Sequence, residues 1–159
     1  LKAEGVPLLI HQPSYSMLNR WVEVELLDTL ENLGVGCIAF SPLAQGLLTN
    51  KYLNGVPKNS RAAAGDSFVQ TMLSDENIAH VRALNDIAQK RGQSLAQMAI
   101  AWILRDPRVT SALIGARNLQ QLDDSLDALK NQSFSTDELK LIDQYAREGH
   151  INLWRNLSE

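Results

Sequence analysis

Short apolar runs alternate with longer amphipathic stretches along this chain, a pattern typical of α/β proteins. Three of these runs predict strands, over residues 8–10, 37–40 and 111–114, and the first is expected to be a short buried strand. Gly36 precedes the second run and Ser41-Pro42 follows it, so this run is predicted to be a strand buried on both faces of a parallel sheet. The unit over residues 8–40 has the length that a parallel strand, helix, strand crossover needs.

Helical periodicity occupies the sequence between and after the runs. Helices are predicted over residues 20–33, 74–91 and 94–105, and from residues 118 and 135 onwards. Three of them begin with a capping signature, because Ser94, Asn118 and Ser135 are each followed three residues later by Gln or Glu. The long polar segment 46–73 is predicted to be a functional or disordered loop.

The apolar stripes of these helices predict which faces are buried. Met98 and Trp102 have ordinary helical spacing and are expected to be core residues rather than parts of a cofactor site. The helix that starts at Asn118 is expected to face inward through its leucines, which are Leu119, Leu122, Leu126 and Leu129.

Composition narrows the functional classes. The 159 residues are 45% hydrophobic and carry a net charge of -3, with both signs mixed along the chain, so a general polyanion binder is excluded and no nucleic-acid partner is expected. Cys37 is the only cysteine, and its apolar surroundings predict a buried, inert thiol in a reducing, cytoplasmic setting. No apolar run approaches the ~20 residues of a membrane span, so no membrane partner is expected.

One domain is expected over residues 1–159, and its first residues indicate that it is incomplete at the N-terminus. The chain begins with Leu1 rather than Met, and residues 2–5 read as the last turn of a helix that Gly5 stops. We therefore expect a piece of a longer protein.

Polar or small residues follow each predicted strand. These residues are His11-Gln12, Phe40-Ser41 and Gly115-Ala116-Arg117. The carboxyl ends of adjacent parallel strands meet at one edge of a sheet, which is where ligands bind. We therefore expect the three strand ends to converge on one rim.

The third strand end predicts an anion site, most naturally for a phosphate. Gly115 allows close approach to the backbone, the free amides of the following helix carry partial positive charge, and Arg117 adds a full one. Lys51 and Arg61 on the long loop are placed to close over the same anion. The alternative is an ordinary capped helix after a glycine turn, with both loop cations as solvated surface charges.

Phe40 and Gln12 add features that suit an aromatic amide group. Phe40 offers a flat face for stacking, and Gln12 offers a donor and an acceptor side by side; a plain core residue and a polar loop residue are the alternatives. The three histidines have no metal-ligand spacing, and the chain has no nucleophile elbow, Walker loop or Gly-x-Gly-x-x-Gly helix start. No catalytic acid or nucleophile is predicted.

Two segments carry a resemblance to a known family. Residues 40–49 (FSPLAQGLLT), followed by Lys51-Tyr52, are similar to the S-P-L-A-x-G-L-L-T and G-K-Y segments of the aldo-keto reductases. The similar branch includes the potassium-channel β subunits and bacterial L-glyceraldehyde 3-phosphate reductase. Residues 113–122 (LIGARNLQQL) resemble the second cofactor segment of that branch, and residues 93–102 match the helix between the two.

The resemblance implies both a fold and an activity. The chain is expected to be the carboxyl-terminal part of a (β/α)8 TIM barrel, with its three strands as the sixth, seventh and eighth. The family implies NADP(H)-dependent reduction of small aldehydes or ketones, including phosphorylated ones such as glyceraldehyde 3-phosphate. Its catalytic aspartate, tyrosine, lysine and histidine belong to earlier strands, so no catalytic residue is assigned here and no turnover is expected from this chain alone.

The resemblance also implies a cofactor site that runs along the rim. Gln12 would hold the nicotinamide carboxamide and Phe40 would stack on the ring. The remaining positions are Ser41, Leu43 and Gln45 along the pyrophosphate, Lys51, Arg61 and Arg117 at the adenosine phosphates, and Gln121, Asp124 and Ser125 beside adenine, with Gly46 and Gly115 as further cofactor-binding positions. The sequence departs from the family pattern at three positions, where Asn50, Asp124 and Ser125 stand in place of the usual Gly, Glu and Asn.

Other interpretations remain open. The chain is alternatively a non-catalytic, truncated nucleotide-binding or interaction module, or an independent open α/β binding domain. In a partial barrel, three strands leave two unpaired edges and apolar faces uncovered, which predicts marginal stability or self-association through the sheet edges.

Overall fold

A three-stranded parallel sheet lies at the centre of the fold. The structure is a computed structural model that describes residues 2–60, 62–65 and 67–152. Its strands are β1 (Ile10–His11), β2 (Gly36–Ala39) and β3 (Ser111–Ala112), with β2 in the middle. The apolar runs extend beyond the paired residues, so β1 begins later and β3 ends earlier than the sequence predicts.

Helices connect and cover the strands. The described α-helices are α1 (Leu26–Leu33), α2 (Ser67–Met72), α3 (Asp75–Lys90), α4 (Leu95–Leu104), α5 (Leu119–Asp127) and α6 (Thr136–Asp143). The predicted helix over residues 20–33 is divided into a 3-10 turn, Trp21–Glu23, and α1. The segment predicted to be a long loop, residues 46–73, contains α2 and the 3-10 turn Asn50–Tyr52, and another 3-10 turn, Ala44–Gly46, ends at its first residue. The mixed α/β architecture with a parallel sheet agrees with part of a TIM barrel, as predicted.

The capping signatures form as the sequence predicts for α4 and α6. The Ser94 hydroxyl accepts a hydrogen bond from the Gln97 amide at 3.1 Å, and the Gln97 side chain accepts one from the Ser94 amide at 2.8 Å. Ser135 and Glu138 form the same reciprocal box. Two of the otherwise unpaired amides at each helix start are thereby satisfied, which fixes where each helix begins.

The core lies between the helices and one face of the sheet. Cys37 and Ala39 of β2 are 0% exposed on this face, and Met98 and Trp102 of α4 are 0% exposed as well, so the predicted burial of Cys37, Met98 and Trp102 is confirmed. Burial raises the pKa of the Cys37 thiol. The guanidinium of Arg105 stacks on the Trp102 ring at 3.7 Å, which covers the outer side of the indole.

The opposite face of the sheet and both of its edges are uncovered in the described part of the chain. Phe40 and its neighbour Ile38 are only half-buried, so the prediction that this strand is buried on both faces is wrong. The predicted burial of residues 8–10 is also wrong, because Leu8, Leu9 and Ile10 are 54%, 69% and 52% exposed at the free edge of β1.

Helix α5 at the other edge provides the largest correction. Its leucines, and Leu129 in the 3-10 turn Ala128–Lys130 that follows it, were predicted to face inward, yet the exposed fractions are 78%, 37%, 50% and 54% for Leu119, Leu122, Leu126 and Leu129. The physical reason is that α5 contacts α4 on one side, while no described element lies against its leucine side. The amphipathic pattern identified the apolar face correctly, but the chain supplies no partner for it.

Candidate nucleotide-binding site

The carboxyl ends of the three strands converge on one edge of the sheet, as the sequence predicts. We call this edge the rim and define it as residues 12–14, 40–46 and 113–117. Ile38 and Ala39 pair with Ser111 and Ala112, and the Leu113 amide donates to the Ala39 carbonyl at 2.8 Å. The parallel registers therefore bring residues that are far apart in sequence to one line of the surface.

The nicotinamide end of the predicted site lies between β1 and β2. Gln12 is exposed and Phe40 is half-buried, so the amide and part of the ring are accessible to a ligand. Phe40 shares a sheet face with Ile38, since Cys37 and Ala39 alternate with them and are buried against the helices. The ring therefore stands on the uncovered face, where a flat ligand can reach it.

The turn after β2 has an unusual backbone. Ser41, Ala44 and Gln45 have φ values of 55°, 47° and 57°, and Gly46 has 95°. Non-glycine residues rarely adopt this left-handed region, and several in one short turn indicate stored strain of the kind found at binding sites. The Gln45 side-chain amide donates to the Ser41 hydroxyl at 3.2 Å, and the Thr49 hydroxyl donates to the Gly46 carbonyl at 2.6 Å, so the turn is held from within.

Lys51 follows this turn at the start of the long loop. Thr49 caps its 3-10 turn by accepting from the Lys51 amide at 3.2 Å. The Lys51 ammonium lies 5.1 Å from the centre of the Tyr52 ring, a cation and aromatic contact that limits its range of positions. Arg61, predicted to act with Lys51, lies outside the described residues.

The start of α5 combines an exposed cation with a cap. Arg117 is exposed, and a side chain placed on Gly115 would meet no atom within 4 Å, so the space beside this backbone is open. Asn118 accepts from the Gln121 amide at 2.9 Å. Gln121, however, accepts from the Arg117 amide at 2.9 Å rather than completing the predicted box with Asn118. Two amides that a phosphate would otherwise meet are thus already paired.

Asp124 and Ser125 have partners within the fold. Asp124 accepts from the Gln97 side chain at 2.7 Å and lies 3.3 Å from the Ser94 hydroxyl, so it ties α5 to the capped start of α4. The Ser125 hydroxyl donates to the Gln121 carbonyl at 2.8 Å. Their place beside adenine stays a prediction, and the tie between the two helices was missed by sequence reasoning. The sequence signal for this contact was Gln97. Its side-chain oxygen caps the start of α4, which leaves its side-chain amide hydrogens free to donate to another acceptor.

The residues after β1 form further contacts that the sequence analysis did not predict. Ser14 forms an isolated parallel bridge with Phe40. The next residue, Tyr15, is 0% exposed and donates its hydroxyl hydrogen to Glu23 at 2.6 Å. Burial, followed by the neighbouring Glu23 carboxylate, raises the pKa of Tyr15 above its ordinary value, so this phenol is a hydrogen-bond donor across the physiological range.

Neither a metal-ligand cluster nor a membrane-spanning helix occurs among the described residues. They contain no group of three or more His, Cys, Asp or Glu side chains placed to hold a metal ion. None of the helices among them has the length and apolar character that crossing a membrane requires.

Comparison with known proteins identifies the family. A profile of the Aldo/keto reductase family matches residues 1–147. The chain is 56% identical over 164 residues to L-glyceraldehyde 3-phosphate reductase of Escherichia coli strain K12, covering 100% of this chain and 47% of the relative. It is 55% identical over 159 residues to the O157:H7 protein of the same name, covering 97% of the chain and 46% of the relative.

A second kind of relative has a different name. The chain is 38% identical over 125 residues to a probable voltage-gated potassium channel subunit beta of Oryza sativa subsp. japonica, covering 76% of the chain and 38% of that protein. The chain spans about half the length of the reductases it matches. These relatives fall in the branch that the cofactor segments resemble, and the chain belongs to the aldo/keto reductase family.

Proposed function

We propose that this chain binds NADP(H) and is the cofactor-binding part of a reductase of small aldehydes or ketones. The observation that carries the proposal is the convergence of Gln12, Phe40 and the strained turn 41–46 on one rim. The 55% and 56% identity to L-glyceraldehyde 3-phosphate reductases supports phosphorylated aldehydes such as glyceraldehyde 3-phosphate as substrates of the full barrel.

The residues of the rim, together with Lys51 on the loop that follows it, fit this cofactor by the chemistry of their side chains. An exposed amide at Gln12 suits a carboxamide, a half-buried ring at Phe40 suits a planar heterocycle, and cations at Lys51 and Arg117 suit phosphates. When bound, NADPH supplies the hydride that reduces a carbonyl group. The part of this chain is to bind and orient the cofactor, while the proton donor is expected in strands that precede these residues in the family.

The uncovered edges explain why the chain is proposed as a part rather than a whole. Apolar side chains are exposed along β1 and along α5, and the reductases are about twice as long as the segment matched here. We propose that the remaining strands of the barrel cover both edges, and that the chain self-associates through them when those strands are absent. The lone buried cysteine supports a reducing, cytoplasmic location.

Fluorescence titration with NADPH tests the cofactor proposal. The chain should show saturable binding, and Lys51→Ala should weaken it about tenfold, because a charge-assisted contact to a phosphate is lost. Lys58→Ala is the matched control, since Lys58 is an exposed cation of the same loop without a proposed role. No saturable binding by the chain or by a complete barrel that contains it would sink the proposal. A preference for NADH would contradict the phosphate role given to Arg61 and Arg117.

Light scattering coupled to size exclusion tests the self-association proposal. The chain should form larger species as its concentration rises, and the double variant Leu122→Ser, Leu126→Ser should shift the distribution towards the monomer. Gln120→Ser changes an exposed polar residue of the same helix and should leave the distribution unchanged. A chain that stays monomeric at all concentrations, or a distribution that the leucine changes do not move, would contradict this role of α5.

A further inference from the structure

The segment that follows β1 forms hydrogen bonds with both the backbone amide and the backbone carbonyl of Phe40. The Phe40 amide donates to the Pro13 carbonyl at 2.9 Å, and the Tyr15 amide donates to the Phe40 carbonyl at 3.2 Å. Ser14 lies between these two contacts, in register with Phe40, and two residues after Gln12. Its position therefore sets how the end of β1 sits relative to the end of β2.

Two side chains hold Ser14 in that position. The Asn19 side-chain amide donates to the Ser14 hydroxyl at 3.0 Å, and the Trp21 indole N–H donates to the Ser14 carbonyl at 3.0 Å. Ser14 thus accepts hydrogen bonds at both its side chain and its backbone. We call Ser14, Asn19 and Trp21 the brace.

The brace rests on a rigid base. Asn19 is 1% exposed, and its backbone exchanges two hydrogen bonds of 3.1 Å with Ser16. The next residue, Arg20, donates to Asp143 at 2.7 Å and to the Ala146 carbonyl at 2.8 Å. These contacts fasten the segment to the end of α6, so the brace holds Ser14 against a part of the fold that is itself tied down.

We propose that the brace is a positioning unit, which fixes the separation between the Gln12 amide and the Phe40 ring for the nicotinamide half of the cofactor. This inference rests on the proposed function and adds residues that touch neither the cofactor nor the reacting atoms. The adenosine half is assigned to other parts of the chain, at Lys51 and at the start of α5. Loosening the brace therefore weakens recognition of one half of the ligand and leaves the other half intact.

The test compares two ligands on two brace variants. Trp21→Phe keeps the aromatic ring and removes only the N–H donor, and Ser14→Ala removes only the hydroxyl acceptor. Each variant should weaken NADPH binding about three- to tenfold, as expected for one hydrogen bond, and should leave the affinity for 2′,5′-ADP, which lacks nicotinamide, unchanged. Val24→Ala is the control, because Val24 is 77% exposed, close to the brace in sequence and outside it.

The outcomes separate this inference from the proposed function. Selective loss of NADPH affinity in both variants, with unchanged unfolding midpoints in urea, supports the positioning role. The positioning role is overturned if the variants lose affinity equally for both ligands or for neither. It is also overturned if the wild-type chain binds NADPH no more tightly than 2′,5′-ADP. None of these results contradicts cofactor binding itself. A wild-type chain that binds neither ligand overturns the proposed function, and the positioning role with it.

Discussion

Helices α4 and α5 share sequence features and have opposite surroundings. Each begins with a side chain that caps its third amide, Ser94 for α4 and Asn118 for α5. Most residues of α4 are buried, including Trp102 at 0%, whereas α5 has no buried residue and Leu119 is 78% exposed. Similar caps therefore accompany a core helix in one case and a surface helix in the other.

The difference shows what an apolar stripe reports. An apolar stripe indicates which face of a helix would stabilise the fold if it were buried. Burial also requires a second surface that packs against that face. Helix α4 finds that surface on α3 and β3. The polar side of α5 faces α4, where Asp124 contacts Gln97. No surface among the described residues packs against its leucines.

The largest effect is expected from removing the central side chain of α4. Trp102→Ala should lower the free energy of unfolding by about 3–5 kcal/mol, because a large buried side chain is replaced by a cavity. Leu119→Ala on α5 should change it by less than about 0.5 kcal/mol in a dilute, monomeric sample, because there the side chain is already in water. Urea unfolding monitored by circular dichroism measures both. If Trp102→Ala does not fold, Ile103→Val, at about 0.5–1.5 kcal/mol, replaces it.

If Leu119→Ala lowered the free energy of unfolding as much as Trp102→Ala, the contrast between α4 and α5 would be wrong. It would mean that the leucine face of α5 is covered in solution, and dilution should then reduce the loss.

An intermediate effect is expected at the helix caps. Ser94→Ala should cost about 1–2 kcal/mol and Asn118→Ala about 0.5–1 kcal/mol, both read from urea unfolding midpoints. The Ser94 variant costs more because a full capping box is broken and the contact of its hydroxyl with Asp124 is lost. Equal losses at the two caps would contradict the view that α4 carries the fold and α5 is attached to it.

The smallest effect is expected from acid titration at the end of α4. The hydrogen bonds that Arg108 donates hold the pKa of Asp106 below its ordinary value. The folded state therefore favours the ionised carboxylate, which stabilises the chain above the unfolded pKa, about 3.9. This contribution is lost as the pH falls through the lower folded value.

Asp106→Asn tests this dependence. The variant should be less stable than wild type by under about 1 kcal/mol at pH 7, because the ion pair is partly exposed, and it should lose less stability than wild type between pH 5 and pH 2 (roughly). Asp127→Asn at the end of α5 is the matched control, since its ion pair with Lys130 is exposed on both sides, and it should follow the wild-type curve. Urea unfolding midpoints measured across the pH range give the stability of each variant. Parallel curves for wild type and Asp106→Asn would contradict a contribution of the ionised Asp106 to stability.

Local sequence signals predicted much of the fold because they act over a few residues. The boxes at Ser94 and Ser135 need only a hydroxyl and an amide or carboxylate three positions later. The burial of Cys37 and Trp102 also followed from local pattern. The exposure of Leu9 and of the α5 leucines did not, because burial depends on which elements lie opposite, and that is a property of the whole assembly.

The candidate site also has features that the sequence predicted and features that it did not. Phe40, Ser41 and Gln12 were placed at a rim because strand ends can be located from apolar runs and their flanking residues. The hydrogen bonds to Ser14 could not be predicted, since its partners Asn19 and Trp21 reach it through side chains whose positions depend on the path of the intervening turn. The left-handed backbone at Ala44 and Gln45 was equally hidden, because neither residue type favours it.

The two free edges of the sheet belong to different strands, β1 on one side and β3 on the other. Pairing of β3 in one copy with β1 in the next would therefore leave the same two edges free on the product. Growth of this heterologous kind has no built-in end unless the copies curve into a ring. Assemblies formed through the edges should accordingly show a ladder of sizes that lengthens with concentration, and a short capping strand that blocks either edge should stop their elongation.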